Sequence, residues 1–325
     1  MRPSYLDAYQ NSSLRKVTDK AWALLESCSL CPRRCGVNRL QDKKGFCKTG
    51  LKARVCSYMS HRGEEPPISG SKGSGTIFFS HCNMHCVYCQ NYEFSQKGEG
   101  REVDSGELAD MMLELQASGC HNINLVTPTH VMPQILKSLQ SAVKKGLTIP
   151  LVYNTGGYEL AQIIGLLEGI VDVYLPDMRY ADNKMAMRYS DAPDYPAYNQ
   201  ESVREMHRQV GDAIFSVGGI IERGLVIRHL VLPADISGTE KIMRFIAREL
   251  SPDTYLSLMS QYYPCYQSAD FPEIDRRISQ EEYQKAQNLM HECGLYNGWT
   301  QESFGLARFA GIHIKPVAKN EQRDA

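Results

Sequence analysis

Six short apolar runs, each followed by a stretch of helical periodicity, limit the fold of this 325-residue chain more than any other feature. The runs are TIFFS (76–80), NINLV (122–126), PLVYN (150–154), VDVYL (171–175), LVIRHLVL (225–232) and TYLSLM (254–259). Between them, Asp104 to Glu107, Ser237 to Glu240 and Ser279 to Glu282 have the spacing of capping boxes. Leu108, Met111, Met112 and Leu115 share one helical face ending at Gly119. Strands that alternate with helices predict a parallel sheet, because each parallel return needs a crossover. A doubly wound sheet gathers its working residues at one crevice, whereas a barrel spreads them beyond the ends of several strands. Here cysteines follow the first run, Thr127 and Thr129 the second, Asn154 to Gly157 the third, Asp177 and Arg179 the fourth, and Gln261 and Tyr262 the sixth. The expectation is an α/β chain with a partial (β/α)6 TIM-like barrel.

The N-terminal part has a different texture. Residues 14–26 have the spacing of a helix, and from there to about residue 75 no regular periodicity is visible. HRGEEPPISGSKGSG reads as loop. GSKGSG lacks the order of a phosphate loop and leads into a strand, and Glu64 and Glu65 read as a solvated turn or cap. The expected division is a small, metal-organised segment over 1–70 and the barrel over 71–325.

Thirty-six basic residues against thirty-seven acidic ones leave no global field toward nucleic acid or an anionic membrane. The most apolar stretch, LAQIIGLLEGIVDVYL, is broken by Glu168 and Asp172. With no apolar N-terminal run either, the expected location is the cytoplasm. In such a reducing compartment, eleven cysteines point to metal ligands or catalytic thiols more than to disulfides. Cys28, Cys31, Cys35 and Cys47 form one group, and Cys82, Cys86 and Cys89 a second. Cys56, Cys120, Cys265 and Cys293 stand apart.

Three thiols do not close a structural zinc site, which takes four ligands. A cubic iron–sulfur cluster has four irons, so three cysteines leave one iron for an outside ligand. Tyr88, beside the last cysteine, is placed to pack on the cluster or its ligand. A zinc site completed by His81 or His85 is the plainer alternative.

Cys82-x3-Cys86-x2-Cys89, with an aromatic residue before the last cysteine and a strand before the loop, resembles the signature of the radical S-adenosylmethionine (SAM) superfamily. GSGTIFFSHCNMHCVYCQN, NINLVTPTH, YNTGGYE, YLPDMRY, GLVIRHLVLP and SLMSQYYP narrow the resemblance to uncharacterised relatives of pyruvate formate-lyase activating enzymes. The resemblance implies a [4Fe-4S] cluster on Cys82, Cys86 and Cys89, with SAM on the open iron. Reductive cleavage of SAM to a 5′-deoxyadenosyl radical would follow, then hydrogen abstraction from a protein or peptide, as in a glycyl-radical activase. It also implies an external one-electron donor, and Asp177 and Arg179 at the cofactor's carboxylate. Thr127, Thr129, Asn154, Gly156, Arg228 and Gln261 are the further candidate cofactor contacts. CSLCPRRCGVNR resembles the same relatives' N-terminal segment, so Cys28, Cys31, Cys35 and Cys47 are expected to hold a second iron–sulfur cluster or a zinc ion. Two rival readings are a non-catalytic electron carrier or zinc-organised interaction protein, and a radical RNA-modifying enzyme. The second needs a basic surface that the balanced charge does not demand.

Overall fold

The computed structural model describes residues 1–301; the remainder of the region expected over 71–325 lies outside the described residues. Ten strands form one sheet: β1 (Ala53–His61), β2 (Ser74–Phe79), β3 (Arg101–Val103), β4 (Ile123–Val126), β5 (Leu151–Thr155), β6 (Val173–Pro176), β7 (Ile214–Phe215), β8 (Ile221–Leu230), β9 (Tyr255–Met259) and β10 (Gly298–Thr300). Their order is β10-β9-β8-β6-β5-β4-β2-β1-β3, with β7 on β8. From β2 to β10 every neighbouring pair is parallel. The six apolar runs are thus six successive parallel strands, wound in one direction without a reversal, as a partial barrel requires.

Helices cover the outer face. Ser105–Ala117 opens with the Asp104–Glu107 capping box and Gln280–Glu292 with Ser279–Glu282. The expected box at Ser237 is absent. Gly238 is the N-cap of Thr239–Phe245, and the Ser237 hydroxyl instead bridges Leu230 and Leu232 at the end of β8. After β5 the anticipated helix shrinks to Ala161–Ile164 and a single 3-10 turn beginning at Gly165, a residue that weakens helix propagation. The polar stretch after β6 holds two helices, Asn183–Ser190 and Tyr195–Val210.

Residues 53–61, expected to be irregular, are the long strand β1, antiparallel to both β2 and β3. Its alternation is half-hidden because its outer positions are only partly buried and one carries a cysteine. The sheet therefore runs across residue 70. Tyr5 and Leu14, on the first helices Ser4–Gln10 and Ser13–Ala23, are buried in the same core as the barrel's Leu125 and Leu139.

Register fixes what lines the lumen, since paired residues of parallel neighbours face the same side. Thr76, Asn124 and Val152 form one row, Val126, Asn154 and Leu175 another, and Asp177, Arg228 and Ser257 a third. At the lower end, Ile68 is buried against Val152, Val173, Leu175, Ile221 and Val226, held there by the Pro66–Ser69 turn.

Candidate radical site and a second cysteine pocket

The loop from Ser80 to Gln90 leaves β2 at its C-terminal end. His81 adopts φ +70° there, turning the chain sharply before Cys82. The loop rests on the end of Asn183–Ser190: the His85 and Val87 amides donate to the Ser190 and Tyr189 carbonyls, both at 2.9 Å. Each thiol has a polar neighbour. Ser190 Oγ donates to Cys86 Sγ at 3.0 Å, Ser95 Oγ lies 3.1 Å from Cys89 Sγ, and the Met84 amide donates to Cys82 Sγ at 3.4 Å. Tyr88 is buried, its hydroxyl 2.5 Å from that of Tyr180, which in turn lies 2.7 Å from Ser190 Oγ. Burial, and then the neighbouring Cys86, push the thiols of Cys82 and Cys89 up.

Beside this loop, Asp177 joins two guanidinium groups. Its Oδ2 accepts from Arg179 Nη2 at 2.5 Å and its Oδ1 from Arg228 Nε at 2.8 Å. Arg228 Nη2 donates to Asn154 Oδ1 at 2.7 Å, and Arg179 Nη1 reaches to 3.8 Å from Cys86 Sγ while its Nε has no partner. A chain of polar and charged contacts thus runs from Asn154 on β5 to Cys86. Gly157 sits behind it at φ +77°, where a Cβ would lie 2.2 Å from Asn199 Nδ2 and 2.3 Å from the Asp177 carbonyl, so only glycine lets the two turns meet. Thr127, a β-branched residue, holds φ +60° at the end of β4, a strained conformation of the kind that gathers at functional sites.

The candidates separate on this geometry. Cys82, Cys86, Cys89, Tyr88, Asp177, Arg179, Arg228, Asn154 and Gly156 share the barrel's upper end. Gln261 joins them through its carbonyl, which accepts from Gln90 Nε2 at 2.9 Å. Thr129 is not brought to the opening: it is 2% exposed, and its hydroxyl donates to Glu159 Oε1 at 2.6 Å. Of the pair inside β8, Arg228 faces the lumen. His229 faces the outer core between the Met178 carbonyl and Thr239, and burial lowers its pKa to about 4. Glu64 and Glu65 do not form a solvated turn. The rigid Pro66–Pro67 pair and Ile68 carry them into the lumen, where Glu64 meets His61 and Asn154. Glu65 is 3% exposed, and burial raises its pKa to about 7. Ser190, Ser95 and Tyr180 carried no signal in the sequence, since serine and tyrosine gain meaning only from what they face.

The four N-terminal cysteines line one pocket with Leu30, Arg33, Arg34, Arg39 and His130. This segment is docked on the three-cysteine loop. Arg33 Nε donates to the Asn83 carbonyl at 3.1 Å, its guanidinium lies 3.5 Å over the Phe46 ring, and Phe46 stacks on His85 at 4.1 Å. No three His, Cys, Asp or Glu side chains among the described residues converge tightly enough to hold a single metal ion.

This chain carries a radical SAM superfamily domain. The superfamily's model matches residues 76–233, the stretch from β2 past the end of β8. An uncharacterised protein of Methanocaldococcus jannaschii is 31% identical over 282 residues, covering 84% of this chain and 76% of that protein. Among solved structures, a radical SAM methyltransferase from Sphaerobacter thermophilus aligns at TM-score 0.45 and 15% identity over 71% of this chain and 67% of its own. Streptococcus suis SuiB, bound to precursor peptide SuiA, aligns at TM-score 0.47 and 9% identity over 69% of this chain and 47% of its own. Such a domain implies a [4Fe-4S] cluster and SAM as cofactors and supports the reductive cleavage of SAM as the chemistry. The donor set fits: three thiols in one short loop, each with a polar neighbour, beside a guanidinium nitrogen lacking a partner.

Proposed function

We propose that this chain cleaves SAM at a cluster held by Cys82, Cys86 and Cys89 and directs the resulting radical at a protein or peptide, as an activating enzyme does. The carrying observation is the unbroken link from Asn154 through Arg228, Asp177 and Arg179 to Cys86. When bound, the cluster supplies one electron and an open iron, and SAM supplies the radical. The chain's own residues bind and orient. Arg179, with a free Nε, is placed to take the SAM carboxylate, and Asp177 fixes its fork between two arginines. Asn154, near the end of β5, and Gly156, just after it, line the other side. Tyr88 and Tyr180 exclude water behind Cys86.

Within the stretch expected as a metal-organised segment over 1–70, Cys28, Cys31, Cys35 and Cys47 would form a second, closed metal site, of zinc or iron–sulfur, docked on the barrel through Arg33 and Phe46, while β1 of that stretch belongs to the barrel sheet. An external one-electron donor and a cytoplasmic setting complete the proposal. No helix among the described residues is long and apolar enough to cross a membrane.

The test is anaerobic reconstitution with iron and sulfide, then dithionite and SAM. 5′-Deoxyadenosine is expected from the wild type, and none above background from Cys86→Ala. An intact loop cluster that yields no product would falsify the assignment. Co-purification under anaerobic conditions then asks whether a protein client is held.

A further inference from the structure

The pocket of Cys28, Cys31, Cys35 and Cys47 has two polar walls that the cysteine spacing does not announce. Arg39, 1% exposed, donates Nε to the Gly50 carbonyl at 3.0 Å and Nη1 to the His130 carbonyl at 2.8 Å, and leaves Nη2 without a partner. His130 comes from the turn after β4 and is equally buried. Its Nε2 lies 2.9 Å from the Ser80 carbonyl, and its Nδ1 has no partner. A carbonyl only accepts, so Nε2 carries the proton and Nδ1 presents a lone pair. An imidazole anchored through one nitrogen to a backbone carbonyl, with the other free, is oriented as metal-binding histidines are.

A buried polar atom left without a partner is destabilising. Two such atoms on the lining that also carries four thiols point to an occupant that accepts from a guanidinium and binds thiolate and imidazole. Cys28 and Cys31 are buried, and Cys35 and Cys47 are half-buried. Cys35 packs toward Gly45, where a Cβ would meet its sulfur at 2.9 Å. A zinc ion offers Arg39 nothing to donate to, whereas the sulfide of a cluster does.

We propose that this pocket holds an iron–sulfur cluster on Cys28, Cys31, Cys35 and Cys47, with Arg39 donating to a cluster sulfur and His130 as a spare ligand that replaces Cys35 when it is lost. This centre is the second metal site of the proposed function, given an identity and a barrel-side wall, and its assembly does not depend on the loop cluster.

The full chain carrying Cys82→Ala, Cys86→Ala and Cys89→Ala, which cannot assemble the loop cluster, is reconstituted anaerobically with iron and sulfide. About four irons and four acid-labile sulfides per chain are expected, with thiolate-to-iron absorption. One zinc per chain, or no metal, overturns the proposal. In the wild type the same measurement reads both clusters, so failure of the loop cluster alone would sink the SAM chemistry and leave this centre standing. On the triple-variant background, Cys35→Ala should keep its iron and Cys35→Ala with His130→Ala should lose it; equal loss in both removes His130 from the ligand set. Arg39→Lys should keep the iron but lower the reduction potential, because a donor to sulfur favours the more negative, reduced cluster. An unchanged potential removes Arg39. Where far-UV circular dichroism shows a variant to be misfolded, Cys35→Ser and His130→Gln carry the same readings.

Discussion

The two cysteine sites stand side by side, joined through Arg33 and Phe46, and they are built to opposite ends. The N-terminal pocket has four thiols, a lone pair on His130 and an arginine tied to two backbone carbonyls, so every side has a donor. The loop site has three thiols, and its remaining side opens onto Arg179, whose side chain keeps 24% of its surface exposed. On the proposed reading, thiol number follows from what has to be admitted. A site that only holds a group is closed by its own residues, while one that must receive a small molecule is left one ligand short.

That contrast can be broken at the open side first. Arg179→Ala should weaken SAM binding about 10- to 100-fold, the worth of charge-assisted hydrogen bonds to a carboxylate, while both clusters retain their iron. Titration of SAM against the reconstituted enzyme measures it, and an unchanged affinity would assign the carboxylate elsewhere.

A second test lies under the loop site. Burial raises the pKa of Glu65 from its ordinary 4.5 to about 7, so the folded state holds the proton more tightly than the unfolded chain. Stability is undiminished below about pH 4.5 and is lost progressively as pH rises through 7, by up to about 3 kcal/mol. Glu65→Gln should therefore be more stable than the wild type above pH 8 and equal to it near pH 4, in urea melts at the two pH values. The same iron content in both proteins is expected. A loss of iron would tie this acid to one of the metal sites.

The smallest effect is a control remote from both. Ser279→Ala removes the cap of Gln280–Glu292, where the Ser279 side chain accepts from the Glu282 amide, and should cost about 1 kcal/mol. Thermal unfolding would register it, with iron and SAM affinity untouched.

Much of this was legible in the residues. Short apolar runs and capping boxes announce parallel strands and their helices because local chemistry marks them, and the Cys82–Cys86–Cys89 spacing is set by one short loop. What stayed hidden depends on distant partners. β1 is a strand because β2 and β3 flank it. Ser237 caps nothing because the end of β8 takes its hydroxyl. Glu64 and Glu65 read as a solvated turn or cap; Glu65 does stand at the N-cap of Pro66–Ser69, but only the fold shows the proline turn carrying both inward, and only the fold shows Glu159 accepting from the Thr129 hydroxyl. His130 had no pattern to betray it, since its partners lie at Ser80 and Arg39.

The Ile68 turn bears on traffic. With that side chain wedged among Val152, Val173 and Val226, the barrel is a cup and not a tunnel. Whatever reacts must come and go over the rim where the cysteine loop sits, sharing that doorway with SAM. On the proposed reading, a client too broad for the cup would lower a loose segment or tip into it.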